Sequence, residues 1–148
     1  MKWKAEDADC FLQSRDYIDT AIIPLVGIDV GQIKQTVSLG EFTTLVAEEL
    51  ERQLKGRVFL FPPYTYLEAN ESKKIELLTM EKSLQDHFQH VVFVTSDRIW
   101  RQHTEISDSL YMLKPVPLEH LKVDLKQKII QDSVEQILNF LLQKWNPS

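Results

Sequence analysis

Three apolar, largely β-branched runs punctuate the chain, each ending in proline or a polar turn: TAIIPLVGID (Thr20 to Asp29), RVFLFPPYTY (Arg57 to Tyr66) and HVVFVTSDR (His90 to Arg98). Amphipathic stretches with helical spacing separate them. Apolar strands alternating with helices call for a parallel sheet covered on both faces. The expected fold is therefore α/β: one domain, 1–148, with a small, mainly parallel sheet of three to four strands between helices and a long C-terminal helix. Ligands in such sheets gather beyond the C-terminal ends of the strands. Here that edge holds Gly27, Pro62-Pro63 and the Thr95–Asp97 turn.

The pattern predicts a short helix over 6–14, with Glu6, Asp7 and Asp9 in its first turn. Strand one runs from Thr20 to about Val26 and contains Pro24, which places it at a sheet edge or on a bulge. From Gly27 to Gly40 the chain reads GIDVGQIKQTVSLG, holding three of its four glycines. This reads as a connection longer than the usual βα loop, either a functional loop or a surface excursion with a short strand inside it. Ser38 and Glu41 have capping-box spacing and predict the next helix, which Gly56 closes. Strand two is 57–61, a helix covers 71–88, and strand three is 91–95. Residues 110–113 predict a short fourth strand before KPVP. The last helix, about 122–145, has the clearest stripe: Ile130, Val134, Ile137, Leu141 and Trp145. That stripe is either core or a surface for homo-oligomer formation. Residues 101–109 read as an ordered lid or a floppy loop.

Composition narrows the function classes. The chain has 148 residues, with 43% hydrophobic and 26% charged residues, enough to bury about two-thirds of its unfolded surface. A net charge of −5 with interspersed lysines and arginines lacks the basic stripe that nucleic acid requires. A single cysteine excludes an intrachain disulfide. The N-terminal stretch is too polar for a signal peptide, and no apolar run approaches the ~20 residues of a membrane span. The expected setting is cytoplasmic, without membrane insertion.

Candidate chemistry is sparse. His87-x-x-His90 has zinc-like spacing, but the helix ends between the two and no third ligand is signalled. Cys10 sits beside Asp7 and Asp9, which disfavour a thiolate. Gly27-x-x-x-Gly31 matches neither the P-loop nor the dinucleotide fingerprint. Thr95-Ser96-Asp97-Arg98 is the most suggestive cluster: two hydroxyls, a carboxylate and a guanidinium at the end of the most buried strand. It either orients a small polar ligand or caps a following turn. Position after the strands nominates Asp29, Tyr64, Tyr66, Thr95, Asp97 and Arg98 as a ligand-binding set, with no catalytic residue, metal ligand or cofactor. The leading expectation is a non-catalytic module binding a protein partner or a small polar metabolite.

Two resemblances add to this. MKW at the start, YIDTAIIPL, GEF, ELERQLKGRVFLFPPYTYL and VVFVTSD resemble the YpiF-like family of spore-forming Gram-positive bacteria over nearly the whole length. That family is uncharacterised, so the resemblance implies neither an activity nor catalytic residues. Residues 20–63, with IIPLVG, a helix and VFLFPP, are similar to the opening βαβ of creatininase-like metal-dependent amidohydrolases. Those enzymes place Glu, His and Asp metal ligands after the first strand. Here that stretch offers Asp29, Gln32, Lys34 and Glu41, and no histidine precedes His87. The resemblance implies a shared fold without the metal site. A diverged hydrolase of this kind would need a base near Asp97, with His103 the nearest in sequence.

Overall fold

The computed structural model describes residues 1–147. Nine principal elements follow one another: α1 (Ala5–Gln13), β1 (Thr20–Ile28), α2 (Ile33–Gln53), β2 (Val58–Leu60), β3 (Tyr64–Leu67), α3 (Lys73–Gln85), β4 (His90–Thr95), β5 (Leu110–Met112) and α4 (Val123–Trp145). The sheet has five strands, all parallel, in the order β2-β1-β4-β5, with β3 pairing β1 beyond the end of β2. The α/β class and the long C-terminal helix are as expected. The strand count is one higher, because the edge beside β1 is built from two short strands broken by Pro62-Pro63.

β1 is the central strand, not an edge, although it contains Pro24 (paired with Val94). The reason lies in the direction its backbone faces. Thr20 donates to the Arg57 carbonyl and the Ile22 carbonyl accepts from Phe61, so even-numbered residues of β1 face β2 and β3. Pro24 meets the gap between those two strands, where no ladder bond exists for its missing N–H to break.

Side chains of the strands alternate between two cores. Ala21, Ile23, Leu25, Val91 and Phe93 face Leu77 of α3, Trp100 and Ile106. Ile22, Val92 and Val94 face Phe42, Val46 and Leu50 of α2 and Val134, Ile137 and Leu141 of α4. The stripe on α4 thus packs inside the fold as core, with Val134, Ile137 and Leu141 buried and Ile130 and Trp145 against them. No described helix is long and apolar enough to cross a membrane.

The largest departure from the sequence reading lies between Gly27 and Gly40. Gly27 and Ile28 finish β1, one 3-10 turn covers Val30–Gln32, and α2 is already under way at Ile33. Asp29 starts this turn, its side chain accepting from the Gly31 N–H at 3.1 Å. Ser38 and Glu41 lie inside the helix and cap nothing. Gly40 is a packing residue rather than a loop residue: a Cβ there would lie 3.0 Å from Val26 Cγ1. The glycine lets α2 lie close against β1.

Residues 98–109 form two short 3-10 segments, Arg98–Gln102 and Thr104–Ser109. Trp100 and Ile106 are anchored in the core, and Lys74 Nζ pairs with Glu105 at 2.6 Å.

Candidate functional site

The chain passes from β1 through α2 to one side of the sheet, then from β3 through α3 to β4 on the other side. The strand order reverses between β1 and β4, and a crevice opens above such a switch point. Here it is a cleft of about 360 Å³, floored by Gly27 and Tyr66 and walled by the start of α2 and by Arg98, Ile99 and Gln102. Its size is at the small end of ligand pockets.

Asp97 is its centre. The Asp97 N–H donates to Thr95 Oγ1 at 3.0 Å, and Oδ1 accepts from the Ile99 N–H at 3.1 Å, starting the 3-10 turn. Oδ2 accepts from the Tyr66 hydroxyl at 2.7 Å. That hydroxyl in turn accepts from Trp100 Nε1 at 2.7 Å. Burial and then the neighbouring carboxylate push the Tyr66 phenol well above its ordinary value, so it stays a donor. Each carboxylate oxygen retains a second lone pair, and Asp97 lines the cleft.

Gly27 makes room for this carboxylate. A Cβ at residue 27 would stand 2.9 Å from Asp97 Oδ2 and 3.3 Å from the Tyr66 ring and hydroxyl. Two further bonds fix the walls. Thr36 Oγ1 donates to the Gly27 carbonyl at 2.7 Å, holding the first turn of α2 to the end of β1. Thr43 Oγ1, which donates to the Leu39 carbonyl, meets Ser96 Oγ at 2.8 Å in a buried pair. Ser96 is therefore the donor of that pair.

Of the six nominated residues, Asp29, Tyr66, Asp97 and Arg98 line the cleft. Thr95 does not: it is fully buried, and its hydroxyl reaches the Leu25 carbonyl at 3.3 Å. It supports Asp97 from below. Tyr64 also lies outside the cleft, its phenol donating to Glu76 while its ring stacks on Tyr66 at 5.8 Å between centroids. Glu68, Gln32, Gln35, Thr36 and Gln102 line the cleft without having been nominated. Helical spacing of 32, 35, 36 and 39 would have signalled part of this wall had α2 been started at the Asp29 turn. The lining carries three carboxylates, Asp29, Glu68 and Asp97, against one cation, Arg98. Arg98 makes no ion pair among the described residues.

Among the described residues, Asp97 and His103 form no hydrogen bond or ion pair, the pairing a hydrolase would need. Asp97 is engaged by Tyr66 and Ile99, while the His103 ring lies 5.3 Å from Trp100. His90 begins β4 and is tied by its N–H to the Asp19 carbonyl at 2.9 Å, whereas His87 closes the turn after α3. Among the described residues, no three His, Cys, Asp or Glu side chains converge to hold a metal.

Comparison with known proteins agrees on kinship. The chain is similar to the uncharacterized protein YpiF of Bacillus subtilis (strain 168), 48% identical over 147 residues and 99% of each chain. No solved structure matches. A family described as "Protein of unknown function (DUF2487)" matches residues 9–145, and the chain belongs to that family.

Proposed function

We propose that this protein is a non-catalytic binding module whose cleft takes a positively charged, hydrogen-bond-donating group. One observation carries the reading: a carboxylate, Asp97, held at the strand-order switch point by Tyr66 and the Ile99 amide, in the room that the missing Cβ of Gly27 leaves it, and lining the cleft. Both fixed donors orient the carboxylate and leave its remaining lone pairs for a ligand. Asp29 and Glu68 reinforce the negative potential, which opposes phosphate despite the nearby start of α2. Arg98 and the three glutamine amides supply orientation for the rest of the ligand.

A thermal-shift measurement with N-acetylarginine amide and, separately, inorganic phosphate tests this. A ligand at a hundred times its dissociation constant stabilises by about 2.7 kcal/mol. The expected result is a shift with the guanidinium compound that disappears in Asp97→Asn. Stabilisation by phosphate alone, or a guanidinium shift unchanged in Asp97→Asn, would overturn the reading.

A further inference from the structure

The sheet edge beside the cleft is protected along one half and open along the other. The outward backbone groups of β2 belong to Val58 and Leu60, since the alternate residues face β1. Both are covered by the N-terminal segment: the Leu60 N–H donates to the Met1 carbonyl at 2.7 Å, and the Val58 carbonyl accepts from the Met1 amino group at 2.6 Å. The following outward position is Pro62, which has no N–H. Self-coverage and proline are two usual ways of closing an edge.

β3 has neither. Its register pairs Val26 with Thr65 and Ile28 with Leu67, so Tyr64 and Tyr66 turn their backbone toward β1 while Thr65 and Leu67 turn theirs outward. The Leu67 carbonyl is used by the Asn70 N–H at 3.0 Å. The Thr65 N–H and carbonyl and the Leu67 N–H have no backbone partner among the described residues. Nothing in the sequence of this strand, YTYL, blunts it with lysine or proline. On its α2-facing side Leu67 and its cross-strand neighbour Ile28 are 57% and 40% exposed, an apolar corner that α2 leaves uncovered. The strand then runs directly into the cleft, since Tyr66 and Glu68 are both lining residues.

We infer that the occupant of the cleft is a basic side chain carried by an extended segment of a partner protein, which adds as a strand to the open edge of β3. This rests on the reading of the cleft above and names the source of its cation. Main-chain bonds to Thr65 and Leu67 supply register, Ile28 and Leu67 receive an apolar side chain, and the carboxylates of Glu68, Asp29 and Asp97 receive the basic one. Strand addition to an exposed edge gains affinity from backbone bonds and specificity from side-chain sites at its end. The partner chemistry follows from charge: three carboxylates at that end favour lysine or arginine over an acidic residue.

The probe is a blocked pentapeptide, arginine–valine–threonine–valine–arginine, which brings a guanidinium beside Glu68 in either strand direction. It is compared with N-acetylarginine amide on the intact chain by isothermal titration and amide hydrogen exchange. The expected peptide affinity is at least about tenfold higher than that of the single residue, with the Thr65 and Leu67 amides becoming protected. Thr65→Pro removes an outward N–H without touching the β1 ladder, and it should erase that gain while leaving N-acetylarginine amide binding intact. A peptide no tighter than the single residue, with Asp97-dependent binding of both, overturns the edge inference and leaves the cleft reading standing. Binding of neither compound overturns both. If Thr65→Pro does not fold, exchange in the unaltered protein decides: Thr65 and Leu67 amides unprotected by saturating peptide overturn the inference, and protected ones support it.

Discussion

Replacing Tyr66 by phenylalanine removes one oxygen and disturbs two partners. Tyr66 is buried, and its hydroxyl bridges Trp100 Nε1 and Asp97 Oδ2, each at 2.7 Å. Trp100 is fully buried, so its indole N–H loses the one partner it has among the described residues and leaves an unsatisfied donor worth roughly 1–3 kcal/mol. The bond to the carboxylate is charge-assisted and worth roughly 1.5–3 kcal/mol when its partners stay dry. Asp97 borders the open cleft, so water recovers part of that second loss. The total for Tyr66→Phe is about 3 kcal/mol. For a chain of this length that lowers Tm by roughly 6–12 °C, and urea unfolding followed by tryptophan fluorescence reads it directly. A double-mutant cycle with Asp97→Asn separates the two bonds and should show coupling of at least about 1 kcal/mol. Tyr64→Phe is the internal control, because its phenol meets the exposed Glu76 and its loss should cost under about 1 kcal/mol. A loss for Tyr66→Phe no larger than for the control, or a cycle with no coupling, would refute the bridge.

Gly27→Ala should destabilise by about 1–3 kcal/mol, since the new methyl displaces Asp97 from both of its donors, and it should weaken cation binding in calorimetry. Val134→Asp should unfold the protein in circular dichroism rather than change its oligomeric mass, because Val134 is fully buried against the sheet and an unpaired buried charge costs a large part of a domain's stability. The pH dependence has a definite sign. Burial and Asp97 raise the Tyr66 pKa in the fold, so its contribution is complete below the ordinary tyrosine value of about 10 and is lost as pH rises above it. Urea midpoints should therefore fall above about pH 10, and Tyr66→Phe should flatten that fall.

The elements read correctly from sequence are those in which local pattern and tertiary role coincide. β4 is a continuous apolar run because Val91 and Phe93 serve one core and Val92 and Val94 the other. α4 shows its stripe because one face is buried and the other is wet. Where glycine or proline serves packing rather than punctuation, local rules mislead. Gly40 reads locally as a loop residue, yet it is a contact between α2 and β1. Pro24 reads as the mark of an edge or a bulge, and it faces the gap between β2 and β3, set by Pro62-Pro63 far along the chain. β3 was hidden because its four residues follow those prolines and depend on β1 for register. The same logic divides the site. Asp29, Tyr66, Asp97 and Arg98 follow the strand ends and were visible by position. Strand alternation and burial turned Thr95 inward, and Tyr64 found Glu76 on α3. Glu68 and the glutamines are ordinary surface residues until the fold brings them together.

We propose that Asp97, presented beside Gly27 by Tyr66, receives a cationic ligand group. Amide shift mapping during titration with N-acetylarginine amide tests it most directly. Saturable shifts concentrated at Gly27, Glu68, Asp97 and Ile99, and absent in Asp97→Asn, are expected. Shifts scattered over other surfaces, or none at millimolar ligand, would contradict it.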